Sequence, residues 1–117
     1  WTPPGWVFAP VWTVLYIMMG VAAWRIWRAG GGFVGEARSA LIVFFVQLTF
    51  NFTWSLAFFA ARSTLLGLIA ITALWLTIAL AISVFRPIDR LAAWLLAPYL
   101  LWVSFAAALN FAFWYLN

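Results

Sequence analysis

The chain has 117 residues, of which 69% are hydrophobic and only 7% are charged. A soluble domain carries roughly a quarter charged residues, so this composition excludes a water-soluble core and predicts one integral membrane domain over residues 1–117. The net charge of +4 comes from six arginines, one glutamate and one aspartate. Because the arginines are scattered near predicted helix ends, we expect no nucleic-acid partner.

Four apolar segments each approach the ~20 residues that a helix needs to cross the hydrocarbon core of a bilayer. They are longer than the strands of a membrane β-barrel and lack alternating polarity. The sequence therefore predicts an all-α, polytopic membrane helix bundle with four transmembrane helices. Their expected bounds are residues 6–28, 37–61, 63–85 and 89–116.

Short connectors predict that sequential helices pack antiparallel. The first connector contains a glycine run at 30–32, followed by Glu36, which suits the first turn of a helix. The second is little more than residues 62–63, whose serine is a candidate N-cap. In the third, Pro87 is expected to end one helix and Asp89 to cap the next.

The arginines predict an orientation. Five of them lie in the first and third connectors, and Arg62 alone lies in the second. The positive-inside rule then places the first and third connectors in the cytoplasm. We therefore expect a bacterial cell membrane protein, with a bacterial or mitochondrial outer membrane as the alternative. The chain begins without methionine, so we also expect it to be part of a longer protein.

Aromatic and amide side chains recur at helical spacing inside three of the segments. The three sets are Trp12 with Tyr16, Gln47 with Asn51 and Trp54, and Trp102 with Ala106 and Asn110. At ~1.5 Å per residue they lie roughly 10–22 Å below the non-cytoplasmic end, and each set shares one helix face. They predict one cavity with apolar walls and a few polar anchors. The alternative is that the amides only hold helices together and the alanines only permit close approach.

The residue inventory excludes several kinds of chemistry. The chain has no histidine and no cysteine, which removes the commonest metal ligand, the commonest general base and any thiol nucleophile. Glu36 and Asp89 lie at predicted helix ends, away from the predicted cavity. We therefore predict no catalytic residue, no metal site and no required cofactor.

Motifs spread over nearly the whole chain resemble the TspO/MBR family of tryptophan-rich sensory proteins and mitochondrial translocator proteins, the latter also called peripheral benzodiazepine receptors. The matching motifs are Pro3-Pro4-Gly5-Trp6-Val7-Phe8, Trp12-Thr13-Val14-Leu15-Tyr16, Met19-Gly20, Gln47-Leu48, Asn51, Trp54-Ser55, Pro98-Tyr99-Leu100, Trp102 and Leu109-Asn110. They resemble the family's second, third and fifth helices. The resemblance implies a five-helix family fold, of which this sequence has four helices and lacks the first.

The resemblance further implies a homodimer in membrane lipid that binds porphyrins such as protoporphyrin IX and, in many members, cholesterol and benzodiazepine-type drugs. By motif, Trp12 and Asn51 would be polar contacts to the ligand, and Asn110 belongs to the same predicted site. The walls would be Phe8, Tyr16, Trp54, Trp102, Phe105 and Ala106. The family's sterol pattern needs a basic residue after a tyrosine, but only residues 116–117 follow Tyr115, so this motif gives sterol binding no support.

The leading interpretation is a membrane receptor or carrier with porphyrin as its ligand, acting in porphyrin handling and stress signalling. Rigid aromatic surfaces suit a planar macrocycle, and indole and amide groups can hold its polar edge. One alternative is an enzyme that degrades porphyrin in light, in which the porphyrin itself would have to sensitise the reaction. Another is a structural or partner-binding membrane module whose interior is filled with side chains.

Overall fold

A computed structural model describes residues 5–56 and 64–116, without the side chains of residues 5–9, 64 and 113. The regular structure in these residues is helical throughout, which confirms the all-α prediction. The helices are α1 (Gly5–Ala29), α2 (Gly35–Ser55), α3 (Thr64–Phe85), α4 (Arg90–Leu95) and α5 (Ala97–Leu116). The predicted turn at Arg62 and Ser63 lies outside the described residues.

The fourth predicted segment forms two helices rather than one. α4 and α5 are separated by Leu96 alone. Pro98 has no N–H to donate to the carbonyl of Trp94, one turn earlier. The N–H of Leu96 bonds instead to the carbonyl of Ala93, three residues back, at 3.1 Å. The break is local, since Arg90–Leu116 is still one apolar stretch.

Three stretches of the described residues are long and apolar enough to cross a membrane: Pro10–Ala29, Leu65–Phe85 and Arg90–Leu116. They confirm three of the four predicted spans. Over its described length α2 is not among them, since it carries Glu36 and Arg38 in its first turn and two amides and two threonines further along. Its crossing of the bilayer stays a prediction.

Each long helix buries one face. On α3 the buried positions 71, 74, 78, 81 and 85 are three or four residues apart, which is the period of one helical face. α3 packs against both α2 and α5, and α1 packs against α2 and α4. Outward faces carry large apolar side chains such as Ile17, Ile69 and Leu101, each at least 60% exposed. Soluble proteins rarely expose so much apolar surface, so these faces are suited to lipid.

The glycine run between α1 and α2 makes a tight turn. Gly31 has a φ of 77°, a conformation that L side chains adopt rarely. Its N–H bonds to the carbonyl of Arg28 at 3.4 Å, and the N–H of Gly32 bonds to the carbonyl of Trp27 at 2.8 Å, the Schellman pattern of helix ends. Gly30 then lies so close to α2 that a side chain there would collide with Ala37.

An ion pair joins the end of α1 to the start of α4. Nε of Arg25 lies 2.6 Å from Oδ2 of Asp89. Oδ1 of Asp89 also accepts from the N–H of Leu91 at 3.1 Å, which confirms Asp89 as a helix cap. The hydrogen bond from Arg25 holds the pKa of Asp89 below its ordinary value, although partial burial opposes this. The first and third connectors therefore lie at one end of the bundle, as the predicted orientation requires.

Replacing Gly30 with alanine is expected to destabilise the protein by about 1–3 kcal/mol, because overpacking forces neighbouring groups apart. Gly20→Ala is the matched control, since an added Cβ there meets nothing within 4 Å and alanine favours a helix over glycine by about 1 kcal/mol. Thermal unfolding in detergent micelles measures both variants. Equal melting temperatures for the two would contradict the close approach of α1 and α2.

Asp89→Asn is expected to lower stability at neutral pH and to lose this effect in acid. Since folding lowers the pKa of Asp89, its carboxylate stabilises the fold above the ordinary value of about 4, and this contribution disappears as the pH falls through the folded pKa. Asparagine still caps a helix, so the variant mainly removes the ion pair. Such a pair typically contributes under about 1 kcal/mol to the free energy of unfolding. Melting temperatures of the two proteins should converge as the pH falls below the ordinary pKa of an aspartate and through the lower folded-state pKa; a constant difference would argue against the ion pair.

Candidate ligand-binding site

A polar face of α2 is buried inside the bundle. Gln47, Asn51 and Trp54 are each at most 3% exposed. Intervals of four and three residues place them on one side of the helix, as the sequence predicts. A polar group buried away from water is costly unless it is hydrogen-bonded, so these side chains need partners on other helices.

Hydrogen bonds around Asn51 join α1, α2 and α5. The hydroxyl of Tyr16 donates to Oδ1 of Asn51 at 2.9 Å. Nδ2 of Asn51 donates to the hydroxyl of Tyr99 at 2.8 Å, and that hydroxyl donates to Oε1 of Gln47 at 2.6 Å. Nε2 of Gln47 has no hydrogen-bond partner among the described residues. Asn51 is therefore the centre of the network, since its amide is used at both ends.

A second polar contact lies further along α2 and α5. Nε1 of Trp54 donates to Oδ1 of Asn110 at 3.2 Å, and Asn110 is fully buried. Contacts between the two helices thus progress from Gln47 with Tyr99 to Trp54 with Asn110, in the same chain direction. α2 and α5 run parallel, which is what antiparallel packing of each on α3 requires.

Trp12 lies at the centre of an aromatic cluster. Its ring centroid is 5.7 Å from that of Tyr16 and 6.5 Å from that of Trp54. The centroids of Tyr99 and Trp102 are each 6.3 Å away, and both rings meet Trp12 edge to face. These spacings suit favourable aromatic pairs. Side chains from α1, α2 and α5 therefore form one continuous aromatic surface beside the Asn51 network.

The structure brings most of the residues expected at the site into this region. Those in contact with one another are Trp12, Tyr16, Asn51, Trp54, Trp102 and Asn110. Ala106 is buried on the same face of α5. Phe105 touches Trp102, with centroids 5.6 Å apart, but it is 39% exposed and lies at the margin of the cluster. The side chain of Phe8 lies outside the described residues.

Two residues that were not predicted as ligand contacts take central positions. Tyr99 contacts both amides of α2, and Gln47 accepts from it. The signal for Tyr99 was available in the sequence, because positions 99, 103, 106 and 110 continue the expected α5 stripe by one turn at the same three- and four-residue spacing. Gln47 was expected on the α2 stripe but not as a site residue.

Among the described residues of the site, the two aromatic side chains of α1 are more exposed than the amides. Gln47, Asn51, Tyr99 and Asn110 are at most 2% exposed, whereas Tyr16 is 46% exposed and Trp12 is half-buried. A ligand that approaches the cluster would therefore meet the Trp12 and Tyr16 rings first. Oδ1 of Asn51 accepts from the hydroxyl of Tyr16, so a ligand that takes this hydrogen bond would have to displace Tyr16.

Comparison with known proteins decides which family the chain comes from. It matches the TspO/MBR family over residues 1–116. The chain belongs to the TspO/MBR family. The tryptophan-rich protein TspO of Chlorobaculum tepidum is 44% identical over the whole chain, which covers 73% of that protein. The translocator protein of Sus scrofa is 39% identical over 97% of the chain and 68% of its own length. Protein CrtK of Rhodobacter capsulatus is 34% identical over the whole chain and 72% of its own length.

Membership of the TspO/MBR family confirms the resemblance seen in the sequence. Together with the three apolar spans, it confirms an integral membrane protein. The relatives from Chlorobaculum tepidum and Rhodobacter capsulatus agree with the expected bacterial membrane. The Asn51 network and the Trp12 cluster are thus built within a TspO/MBR membrane domain.

Tyr99→Phe is expected to lower the free energy of unfolding by about 1–2 kcal/mol, because it removes the hydroxyl that accepts from Nδ2 of Asn51 and donates to Oε1 of Gln47. Tyr115→Phe is the matched control, since the side chain of Tyr115 is 73% exposed. Thermal unfolding in detergent micelles is the measurement. If both variants melt like the unchanged protein, the network does not hold α2 to α5.

Proposed function

We propose that this protein is a homodimeric membrane receptor or carrier for a tetrapyrrole of the protoporphyrin IX type. The observation that carries the proposal is the position of Trp12, whose ring lies within 6.5 Å of four other aromatic rings. A planar macrocycle gains both burial and ring contacts on such a surface. Buried amides next to apolar walls are the usual anchors of small-molecule sites.

The chemistry of the site supports a ligand with a flat apolar body and a polar edge. The rings of Trp12 and Tyr16 form its accessible side, and Oδ1 of Asn51 accepts a hydrogen bond from the half-exposed Tyr16. A ligand over Trp12 would take the place of the Tyr16 hydroxyl at Asn51. Tyr16 would then turn outward, which costs little because it is already 46% exposed.

The names of relatives support a receptor or carrier more than an enzyme. One relative from Cereibacter sphaeroides is named tryptophan-rich sensory protein, and several mammalian relatives are named translocator protein. Neither name describes catalysis. The chain also has no histidine or cysteine to act as base or nucleophile, so a reaction at this site would depend on the ligand's own photochemistry.

Protoporphyrin IX is expected to quench the tryptophan fluorescence of the purified full-length protein with a saturable dependence on concentration. Trp12→Phe removes the indole N–H and part of the stacking surface. The dissociation constant of protoporphyrin IX from this variant should therefore rise about fivefold to tenfold. Adding Asn51→Ala should raise the constant further. Trp94→Phe is the control, since Trp94 is 73% exposed on α4, and its constant should equal that of the unchanged protein.

The same titration separates the alternatives. An unchanged dissociation constant in the Trp12 and Asn51 double variant would refute the site assignment. Linear, unsaturable quenching by porphyrin, haem and sterol alike would favour a structural membrane module. Loss of porphyrin absorbance that requires both light and Trp12 would favour a porphyrin-degrading enzyme over a receptor.

A further inference from the structure

A groove lies at the opposite end of the bundle from the Trp54 and Asn110 contact, where α3 ends and α4 begins. Its volume is about 460 Å³, and it opens to the outside of the protein. The lining residues are Ile82, Arg86, Arg90, Ala93, Trp94 and Ala97. Two arginines therefore share one groove whose remaining walls are apolar.

Arg86 and Arg90 differ from the other arginines of the described residues. Arg25 is paired with Asp89. Arg28 lies over the ring of Trp24, with its guanidinium carbon 5.3 Å from the centroid, and Arg38 lies over a phenylalanine ring at 5.8 Å. Within residues 5–56 and 64–116, neither Arg86 nor Arg90 has an ion pair or a ring partner of this kind. Their charge is thus available to an external anion.

The groove also has the apolar part that a lipid needs. Ile82, Ala93 and Ala97 extend from the two arginines along the helices, and Trp94 is 73% exposed beside them. Tryptophan is enriched where a membrane meets water. Arg86 and Arg90 flank Asp89, at the end that the charge distribution predicts to be cytoplasmic, where anionic lipids are enriched.

We infer that this groove binds an anionic phospholipid, with the headgroup phosphate held by Arg86 and Arg90 and an acyl chain lying along Ile82 and Ala97. Charge complementarity selects this occupant, because basic pockets between membrane helices at this surface bind anionic headgroups. Arginine suits a phosphate because its guanidinium can donate two parallel hydrogen bonds. The site is separate from the Trp12 cluster and does not depend on what that cluster binds.

Brominated lipids test the inference in the full protein reconstituted into bilayers. Bromine quenches the fluorescence of a nearby tryptophan. The difference in quenching between a protein and its own Trp94→Phe variant therefore reports the lipid that lies beside Trp94 in the groove. Brominated phosphatidylglycerol should be preferred over brominated phosphatidylcholine there by about 30-fold at low salt, as expected for two arginines near the headgroup plane. Arg86→Gln with Arg90→Gln should abolish this preference, and Arg86→Lys with Arg90→Lys should retain most of it.

Arg28→Gln with Arg38→Gln is the matched control, since it removes the same charge from the same end of the bundle outside the groove. It should leave the preference at Trp94 unchanged. The inference is overturned if the groove variant keeps its preference, or if the control loses as much. Inorganic phosphate, titrated at constant ionic strength, separates the two sources of phosphate: binding of free phosphate without any preference for the anionic lipid would also overturn it.

Discussion

A polar side chain that is buried away from water is costly unless it forms hydrogen bonds within the protein. Asn51 meets this requirement by accepting from Tyr16 and donating to Tyr99. The two bonds fix the rotation of α2, because turning the helix by one residue, or about 100°, would point Asn51 away from both tyrosines. Trp54 and Asn110 repeat the constraint along the same pair of helices, so α2 and α5 are aligned at two levels.

The network has a structural half and an exchangeable half. Displacing Tyr99 would take the partner from Nδ2 of Asn51 and from Oε1 of Gln47 in the buried interior, which is costly for both amides. Displacing Tyr16 frees only one acceptor of Asn51, and the released hydroxyl can reach the outside because Tyr16 is 46% exposed. The same amide can therefore hold the bundle together through α5 and receive a ligand through α1.

The sequence could predict the features of the site that depend on position along a single helix. Helical spacing and depth along a helix depend only on position in the chain, and they were enough to bring Trp12, Asn51 and Asn110 into one region. The choice of partner could not be predicted in this way. That Tyr99 contacts Asn51, or that Arg25 reaches Asp89, depends on the tilt and rotation of separate helices, which are set by packing of the whole bundle. The break at Leu96 depends on one missing N–H, that of Pro98, within an otherwise continuous apolar segment.

The charge composition constrains the end of the bundle that carries most of the arginines. The chain has six basic residues and two acidic ones, so one-to-one pairing would leave four arginines (6 − 2 = 4) without a carboxylate. Arg28 and Arg38 lie over aromatic rings, a weaker interaction that keeps the cation near water. Asp89 already pairs with Arg25 and accepts from the first turn of α4. Both of its carboxylate oxygens therefore have partners other than the neighbouring Arg90. At a membrane surface the abundant remaining anion is the lipid phosphate, and a groove that holds two arginines beside apolar walls matches both parts of that molecule.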